Sequence, residues 1–535
     1  MLAAAGFAFD NTYARELDGC FVAWPPTPAR APRLLFLNRP LARELGLDDA
    51  LLAGEPGARL FAGNELPDGA QPIAQAYAGH QFGGFSPQLG DGRALLIGEI
   101  VDRQGRRRDL AFKGSGRTPF SRAGDGKAAV GPMLREVLVG EAMHALGIPT
   151  TRALAVAATG EVVLREAKLP GGVLTRVAAS HLRVGTFQYF AARGETERVR
   201  RLAEYAIARH DPQLVGQPDR FLAFFEAVAR RQAALVAQWM NVGFIHGVMN
   251  TDNMTISGET IDYGPCAFLE ACDPDAVFSS IDHHGRYAFG NQPTIARWNL
   301  ARLAEALLPL FDADTQVAVG RAMQVIEAFP GWFAQALLAG QRAKLGLPPP
   351  ERPDAAQDEA DAALADDWLA LLQAHRVDFT LGWRRLADVA DQVEGVARAH
   401  LADGGNTTGA DVPAVAAEVH GGSIRTILAP LAPLFGRPEP PAAVVDWLAG
   451  WRARRTQVAR PLPATSMRQA SPWLIPRNHR VEEALAAATE ADDLGPFEAM
   501  LEALRQPFDE RPAADAYAQP AAPEVTACYR TFCGT

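Results

Sequence analysis

The sequence is poor in cysteine, with five among 535 residues, an odd number that cannot all be paired. A disulfide framework of the kind found in small secreted domains is therefore excluded. No run of about 18 apolar residues occurs, so we predict no membrane-spanning helix. The N-terminus lacks the positive charges of a secretory signal and meets Asp10 early. We therefore expect a cytoplasmic protein.

Basic residues are not in excess either, because the formal net charge is -10 at pH 7. Proteins that bind nucleic acid along its phosphates usually carry a strong positive surplus, so we predict no nucleic-acid partner. The composition, 48% hydrophobic and 21% charged, is that of a folded globular protein. Its length allows a large core and more than one domain.

One stretch of the chain is rich in oxygen ligands: His246 to Asn253, followed by Asp262-Tyr263-Gly264. Carboxylates and carboxamides are the ligands that Mg²⁺ prefers when it also holds phosphates. Protein kinases place them in the motifs H-R-D-x-x-x-x-N and D-F-G. Aligning the histidine with His246 puts the metal-binding groups on Asn253 and Asp262. The kinase catalytic aspartate falls on Val248, so the usual base is missing.

A glycine-dense segment, residues 79–93, precedes two predicted strands, 94–101 and 109–113. The second strand ends in Lys113. Glycines let backbone N–H groups approach anionic oxygens, and a lysine adds a point charge. This order matches the way in which kinases cover and hold nucleotide phosphates. Glu136, early in a predicted helix over 131–146, occupies the place of the glutamate that pairs with that lysine.

Further cations follow in the sequence. Residues 114–127 form a second loop rich in glycines and cations, which suits an anion or a ligand-free lid. Arg176 and Arg183 flank a short loop and are able to clamp polyphosphate oxygens, although either alone reads as a surface residue. We predict strands over 154–156 and 162–166 and an extended segment over 171–177.

The rest of the chain is predicted to be mostly helical. Residues 187–245 read as helices, and the long apolar helix over 221–240 should be buried and lead into the metal loop. His246 is interpreted as a structural, hydrogen-bonded histidine. Cys20 and Cys266 are interpreted as buried apolar fillers. A loop-rich segment follows Asp262, and residues 311–460 are again predicted to be mostly helical.

Three long motifs carry a resemblance to a known family. They are Gln81-Phe82-Gly83-Gly84-Phe85-Ser86-Pro87-Gln88-Leu89-Gly90-Asp91-Gly92-Arg93, Phe112-Lys113-Gly114-Ser115-Gly116-Arg117-Thr118-Pro119-Phe120-Ser121-Arg122, and His246-Gly247-Val248-Met249-Asn250-Thr251-Asp252-Asn253-Met254. With Ile475-Pro476-Arg477-Asn478-His479, they make the chain resemble the selenoprotein O family from about residue 10 onward. Members of that family are protein adenylyltransferases.

The resemblance implies an α+β, protein-kinase-like bilobal fold, with a small β-rich N-lobe, a larger helical C-lobe, and N- and C-terminal helical extensions. The expected divisions follow from it. They are an N-terminal extension over 1–75, a kinase-like N-lobe with the nucleotide loops over 76–186, a C-lobe core with the metal loop over 187–310, and a helical C-terminal region with a redox tail over 311–535.

The resemblance also implies the reaction and its residues. ATP is bound in an orientation flipped relative to active kinases, and AMP moves to Ser, Thr or Tyr hydroxyls of proteins. Asn253 and Asp262 would hold Mg²⁺ or Mn²⁺, Glu136 would orient Lys113, and Asp252 would accept the hydroxyl proton. The implied ATP contacts are Gly90, Gly92, Arg93, Lys113, Asp125, Gly126, Arg176, Arg183 and Asp262.

A redox element is implied by the same resemblance. The family tends to carry a redox-active residue two positions before the C-terminus, where this sequence has Cys533. Cys272, in the segment after the metal loop, would pair with the tail. A second tail cysteine, Cys528, makes a local Cys528–Cys533 pair conceivable, and an inert tail thiol is the alternative. We expect a monomer.

Other functions compete with AMP transfer. The chain would be an atypical protein kinase with an unusual base if labelling of proteins came only from the γ-phosphate of ATP. It would be a non-catalytic nucleotide-binding pseudokinase scaffold if loss of Asp262 left its function unchanged. It would be a redox binding module if activity survived the loss of Lys113 but not of Cys533.

Overall fold

The computed structural model describes residues 5–402 and 426–532. For residues 396–402 it describes the backbone only. It is a mixed α+β structure that contains an eight-stranded sheet and many helices. This architecture is compatible with the predicted kinase-like fold class. Within the described ranges, no helix is both long enough and apolar enough to cross a bilayer.

All strands of the large sheet come from the N-terminal part of the chain. The strands there are β1 Phe21–Ala23, β2 Arg33–Leu37, β3 Ile73–Gln75, β4 Gly79–Gln81, β5 Gly84–Ser86, β6 Ala94–Val101, β7 Arg107–Lys113, β8 Ala128–Ala129, β9 Arg152–Leu164 and β10 Lys168–Ala178. The order in the sheet is β1-β3-β6-β7-β10-β9-β2, and β8 also pairs with β10. Strands β4 and β5 form a separate hairpin.

The register between β7 and β10 places two of the predicted phosphate-binding cations together. Arg176 lies opposite Ala111, and Leu174 lies opposite Lys113. Ala111 and Lys113 are two residues apart in one strand, so their side chains share a face of the sheet. Arg176 and Lys113 are therefore diagonal neighbours on that face. The predicted strands over 94–101 and 109–113 are confirmed, the second beginning earlier, at Arg107.

Two details of the predicted secondary structure were wrong. The strands predicted over 154–156 and 162–166 are one continuous strand, β9. Gly160 within it has a φ of +71°, which lets the chain bend without ending the strand. Helix α4, Val130–Ala145, begins one residue before the predicted start at residue 131. Pro132 still fits, because N–H groups in the first turn have no partner within the helix.

The helices that lie wholly within the described residues are α1 Thr12–Glu16, α2 Arg39–Glu44, α3 Gly54–Phe61, α4 Val130–Ala145, α5 Val184–Ala191, α6 Thr196–His210, α7 Arg220–Val242, α8 Gln292–Phe311, α9 Thr315–Leu345, α10 Ala355–Ala374, α11 Phe379–Ala402, α12 Ala442–Gln457, α13 Ala464–Ala470, α14 Asn478–Glu490, α15 Gly495–Leu504, α16 Asp515–Ala518 and α17 Pro523–Cys528. The predicted helical character of 187–245 is confirmed by α5, α6 and α7. Helix α7 packs against α8 and α9.

Helix α4 lies at the centre of the structure and is buried over almost its whole length. It packs on β9 and β10 of the sheet on one side and on α14 and α15 on the other. Its apolar side chains Met133, Leu134, Val137 and Leu138 are fully buried between these layers. Helix α4 is thereby a fixed support for Glu136, which it carries next to Lys113.

The segment that contains the candidate metal ligands Asn253 and Asp262 lies between two short strands that pair with each other. Helix α7 ends at Gly243, whose φ of +73° turns the chain into β11, Phe244–Ile245. This strand pairs in antiparallel fashion with β12, Ala267–Phe268. Residues 246–266 therefore form a loop whose two ends are held side by side, so that Asn253 and Asp262 approach each other.

The C-terminal part of the chain returns to this loop. Thr531 donates its backbone N–H to the carbonyl of Phe278 at 2.8 Å and accepts the N–H of Ser280 at 2.9 Å. Its hydroxyl donates to the carbonyl of Pro265 at 2.7 Å. The tail is thus paired with the segment that follows Asp262.

Candidate active site

An open cleft of about 920 Å³ gathers the candidate site residues that are separated in sequence. Its walls include every predicted ATP contact together with the predicted base and the second metal ligand. These are Gly90, Gly92, Arg93, Lys113, Asp125, Gly126, Arg176, Arg183, Asp252, Asn253 and Asp262. Glu136 is not in the wall and lies behind Lys113.

Lys113 is at the centre of a buried group of charges. Its Nζ atom donates hydrogen bonds to the carboxylates of Glu136 and Asp262. The guanidinium of Arg176 reaches the same two carboxylates, at 2.8 Å from Glu136 and 3.1 Å from Asp262. Lys113, Arg176 and Glu136 are each less than a tenth exposed. Two cations and two carboxylates therefore hold one another in place at the floor of the cleft.

Asp262 has the properties of a metal ligand. Burial raises the pKa of Asp262, but the charges of Lys113 and Arg176 outweigh burial and hold that pKa well below its usual range. The carboxylate is therefore ionised at neutral pH. Its backbone φ of +69° lies in the left-handed region, which is uncommon outside glycine but more accessible to aspartate than to most residues.

Asp252 and Asn253 lie in a short 3₁₀ turn, Thr251–Asn253. Asp252 Oδ2 accepts a hydrogen bond from Gln81 Nε2 at 3.1 Å, whereas Oδ1 is enclosed and has no hydrogen-bond partner among the described residues. Burial raises the pKa of Asp252 to about 6. The amide nitrogen of Asn253 donates to the carbonyl of Val248 at 3.1 Å, which leaves the amide oxygen available for a metal ion.

His246 ties the two ends of the metal loop together. Its Nε2 donates to the carbonyl of Ile261 at 2.9 Å, and its backbone N–H donates to Gln292 Oε1 at 3.0 Å. Burial lowers the pKa of His246, so the ring is neutral. The interpretation as a structural histidine is confirmed. Val248, at the position of the kinase base, is a buried apolar side chain.

The two glycine-rich loops fold onto each other at the mouth of the cleft. A Cβ on Gly90 would overlap the ring of Phe120, and a Cβ on Gly126 would overlap the backbone of Gly116. Thr118 Oγ1 donates to the carbonyl of Asp91 at 2.6 Å and so joins the second loop to the first. Glycines are required at these positions by close backbone approach.

Known proteins resemble this chain in sequence over almost its whole length. A sequence model of the family described as "Protein adenylyltransferase SelO" matches residues 6–505. The chain belongs to the SelO family. It is 60% identical over 531 residues to a protein nucleotidyltransferase YdiU of Cereibacter sphaeroides, strain KD131, with 99% of this chain and 100% of the relative covered.

Other relatives carry the same name. The YdiU protein of Chromobacterium violaceum is 59% identical over 520 residues, which are 96% of this chain and 99% of the relative. That of Rhizobium etli is 51% identical over an alignment of 536 positions, which covers 99% of this chain and 98% of the relative. The SelO-family chain is therefore an enzyme, a nucleotidyltransferase, and ATP is the substrate consistent with its family.

The donor set of this SelO-family site fits a metal that is shared with phosphates. Among the described residues, no group of three or more His, Cys, Asp and Glu side chains is arranged to hold a metal ion by itself. Asp262 and Asn253 supply one carboxylate and one carboxamide. Mg²⁺ typically takes one or two carboxylates, substrate phosphates and water, so such a small protein set suits it.

Several residues of the site were not found by sequence reasoning. Arg183 stacks on Tyr77, with its guanidinium carbon 4.4 Å from the ring centroid, and lies 3.8 Å from Asp91. Burial raises the pKa of Asp91 to about 6. Arg165 pairs with Asp125 at 2.9 Å. Asp91 belongs to the glycine-dense segment and Tyr77 lies just before that segment, but nothing in the sequence connects Arg165 with Asp125.

The cysteines of the SelO-family chain lie in unlike environments. Cys20 and Cys266 are buried, as predicted. Cys272 is also buried, and burial raises the pKa of its thiol to about 12. Cys528 is exposed, and Cys533 lies outside the described residues. The four cysteines in the described ranges are free thiols, so a pair between Cys272 and the tail stays a prediction.

Proposed function

We propose that this chain transfers AMP from ATP to Ser, Thr or Tyr hydroxyls of proteins, with Mg²⁺ or Mn²⁺ as cofactor. The observation that carries the proposal is one cleft that brings the Asp252 carboxylate together with Asn253, Asp262, Lys113 and Arg176. A substrate hydroxyl in that cleft would donate its proton to the Asp252 carboxylate. The apolar side chain of Val248 cannot accept a proton.

The reaction is an in-line displacement at the α-phosphorus. The hydroxyl oxygen forms a bond to that phosphorus, the bond to the β-phosphate oxygen breaks, and pyrophosphate leaves. The hydroxyl proton passes to Asp252. With ATP in the flipped orientation, this carboxylate takes the role that the aspartate of the catalytic loop has in kinases.

The cations of the cleft supply the electrostatic part of catalysis. Nucleotidyl transfer needs mainly in-line positioning and neutralisation of charge. Lys113 and Arg176 are fixed by Glu136 before ATP arrives, so their charges need no reorganisation during the reaction. Arg183 is held by stacking on Tyr77. Arg93 and the loop glycines line the remaining wall.

A metal held by Asp262 and Asn253 would neutralise phosphate charge and orient the leaving pyrophosphate. The low pKa of Asp262 keeps its carboxylate in the ligating form. The raised pKa of Asp252 makes it a stronger base than an ordinary aspartate and still leaves it mostly ionised at pH 7. The two carboxylates therefore have environments suited to different roles.

The finer architectural predictions belong to the same proposal. They are the bilobal kinase-like arrangement with boundaries near residues 75, 186 and 310, a monomeric state, a cytoplasmic location and no nucleic-acid partner. Redox control through Cys272, Cys528 and Cys533 is a further part of it. The buried, protonated thiol of Cys272 would have to become accessible before it reacts.

The experiment that tests the proposal is intact-mass analysis after incubation with ATP and Mg²⁺, repeated with ATP labelled at the α- or γ-phosphate. We expect an adenylyl adduct and transfer of the α-label to protein. Transfer of the γ-label alone would establish an atypical kinase. Absence of both labels, with ATP still bound, would favour a pseudokinase scaffold. Activity that withstands loss of Lys113 but not of Cys533 would favour a redox module.

A further inference from the structure

The hairpin of β4 and β5 is packed directly against the turn that carries Asp252. Gln81 on β4 donates to Asp252 Oδ2, and the backbone N–H of His80 donates to Thr251 Oγ1 at 2.7 Å. Gly79 approaches so closely that a Cβ there would overlap Asp252 Oδ1. A ligand bound to this hairpin would therefore lie next to Asp252, the candidate base.

The tip of the hairpin presents two aromatic rings to solvent. Phe82 is 39% exposed and Phe85 is 41% exposed. Phe82 and Gly83 form the two-residue turn, and both have positive φ, +51° and +87°. Turns of this kind favour Asn or Asp followed by Gly, so a bulky aromatic residue at the first position is strained. Strain at an exposed ring points to a functional constraint.

The hairpin tip is held from below and does not move freely. The N–H of Phe82 lies within hydrogen-bonding distance of Asn250 Oδ1 at 3.1 Å and of the Tyr287 hydroxyl at 3.2 Å. The rings of Phe82 and Tyr287 meet edge to face, with centroids 5.2 Å apart. The exposed rings therefore have a fixed position relative to Asp252.

A guanidinium without an acidic partner lies beside this tip. Arg286 stacks on the ring of Trp298 at 4.8 Å and comes within 3.8 Å of a Cβ built on Gly83. In the described part of the chain, no carboxylate forms an ion pair with it, and its Nε has no hydrogen-bond partner. Arg302, which stacks on the same Trp298 ring, is paired with Glu305.

The charges around Arg286 favour an acidic ligand. His283 and His284 precede it and are exposed. Asp282 is buried, and its oxygens accept the backbone N–H groups of Arg286 and Tyr287. A planar guanidinium without an acidic partner is suited to a carboxylate. The chain as a whole carries a net charge of -10, so an arginine side chain without an acidic partner is unlike its average character.

We propose that the β4–β5 hairpin and Arg286 form the docking surface for the acceptor protein. The surface selects an extended segment in which the target hydroxyl has a carboxylate side chain and an apolar side chain close by. The carboxylate pairs with Arg286, the apolar side chain packs on Phe82 and Phe85, and the hydroxyl faces Asp252. This inference rests on the proposed AMP transfer.

The test is a competition between two peptides in one reaction. Both carry Ser next to Leu, and they differ in a neighbouring Glu or Lys; the label is α-labelled ATP. For the unmodified enzyme we expect the acidic peptide to be labelled roughly fivefold more, as for one partly exposed charge pair. Arg286→Gln should bring the ratio near one, and Arg286→Glu should reverse it. Because the readout is a ratio, a change in overall activity does not affect it.

Controls separate this surface from general charge effects. Arg352→Glu changes the same charge at an exposed site between α9 and α10 and should keep the original ratio. Phe85→Ala should raise the KM for both peptides more than it lowers kcat. Equal labelling by the unmodified enzyme, or a ratio that Arg286→Glu leaves unchanged, would overturn the docking surface.

The remaining outcomes distinguish the two proposals. If the enzyme labels itself from the α-position but labels no peptide, an extended acceptor segment is wrong and AMP transfer stands. If no α-label reaches any protein or peptide while ATP is bound, AMP transfer is wrong and the docking surface has no role in it.

Discussion

Arg176 and Glu136 are joined at 2.8 Å, so the glutamate of α4 is shared between this arginine and Lys113. Glu136 is therefore the negative group that holds both Lys113 and Arg176. In the kinase pattern this glutamate pairs with one lysine. A single position of α4 therefore contacts both cations at the floor of the cleft.

Replacement of Glu136 by Gln should weaken ATP binding and turnover together. The cations would keep only Asp262 as an anionic partner, and the metal competes for that carboxylate. We expect kcat/KM for ATP to fall by roughly 10²-fold, as for loss of one electrostatic stabiliser. Steady-state kinetics with α-labelled ATP measures it. Glu502→Gln, an exposed change on α15, should have no effect; a fall of similar size there would contradict the role given to Glu136.

Replacement of Asp262 by Asn should remove metal-dependent transfer. The variant loses the ionised ligand, so we expect the rate to fall by roughly 10²–10³-fold, and chelation of the metal should do the same to the unmodified enzyme. Asp275→Asn, an exposed carboxylate nearby in sequence, serves as the matched change. Unaltered transfer by Asp262→Asn at saturating Mg²⁺ would exclude Asp262 as the ligand.

Replacement of Asp252 by Asn should lower the rate and raise the stability. The unmodified enzyme should lose activity as the pH falls through about 6, where Asp252 becomes protonated; a bound divalent cation would shift this midpoint downward. The variant should be slower by roughly 10²–10⁴-fold and lack that limb of the pH profile.

The raised pKa of Asp252 makes the stability of the folded protein depend on pH in a definite direction. The folded-state pKa of Asp252 is raised from 3.8 to about 6, so the folded protein binds more protons than the unfolded chain between these values. Stability is therefore lost as the pH rises from about 4 to 6, and the loss is complete at pH 7. Asp252→Asn should recover up to about 3 kcal/mol there, seen as a higher Tm at pH 7 but not at pH 4. A lower Tm at pH 7 would refute this account.

Replacement of Arg135 by Lys should disturb the segment that follows Asp262 in the loop of the candidate metal ligands. Arg135 donates to the carbonyls of Tyr263 at 3.2 Å and Cys266 at 2.6 Å, and it pairs with Glu482 at 3.0 Å. A lysine cannot make these contacts together, so we expect a loss of about 2–4 kcal/mol in the free energy of unfolding and a reduced kcat. Arg230→Lys, in an exposed pair on α7, should change neither.

Much of the site could be predicted because its chemistry is local in sequence. The glycine-rich loops, the lysine at a strand end and the Asn253 and Asp262 pair are each defined by short spacings. The helix that carries Glu136 was placed correctly except for its first residues. These features depend on turn conformation and on hydrophobic periodicity, which a sequence shows directly.

The remaining features depend on contacts between distant segments. Arg176 reaches Glu136 because the β7–β10 register sets it beside Lys113, and no sequence pattern fixes that register. Arg286 comes beside the β4–β5 hairpin across about 200 residues of chain. The continuous strand β9 was missed because Gly160 reads as a break, although in the sheet it only bends the strand.

The pairing of Thr531 with Phe278 and Ser280 has a consequence for biosynthesis. The segment that follows Asp262 is completed by residues synthesised about 250 positions later. A ribosome-bound chain that already contains both glycine-rich loops and the metal loop still lacks this contact. We therefore expect nascent chains to complete the pairing of Phe278 and Ser280 only after residue 531 has emerged from the ribosome.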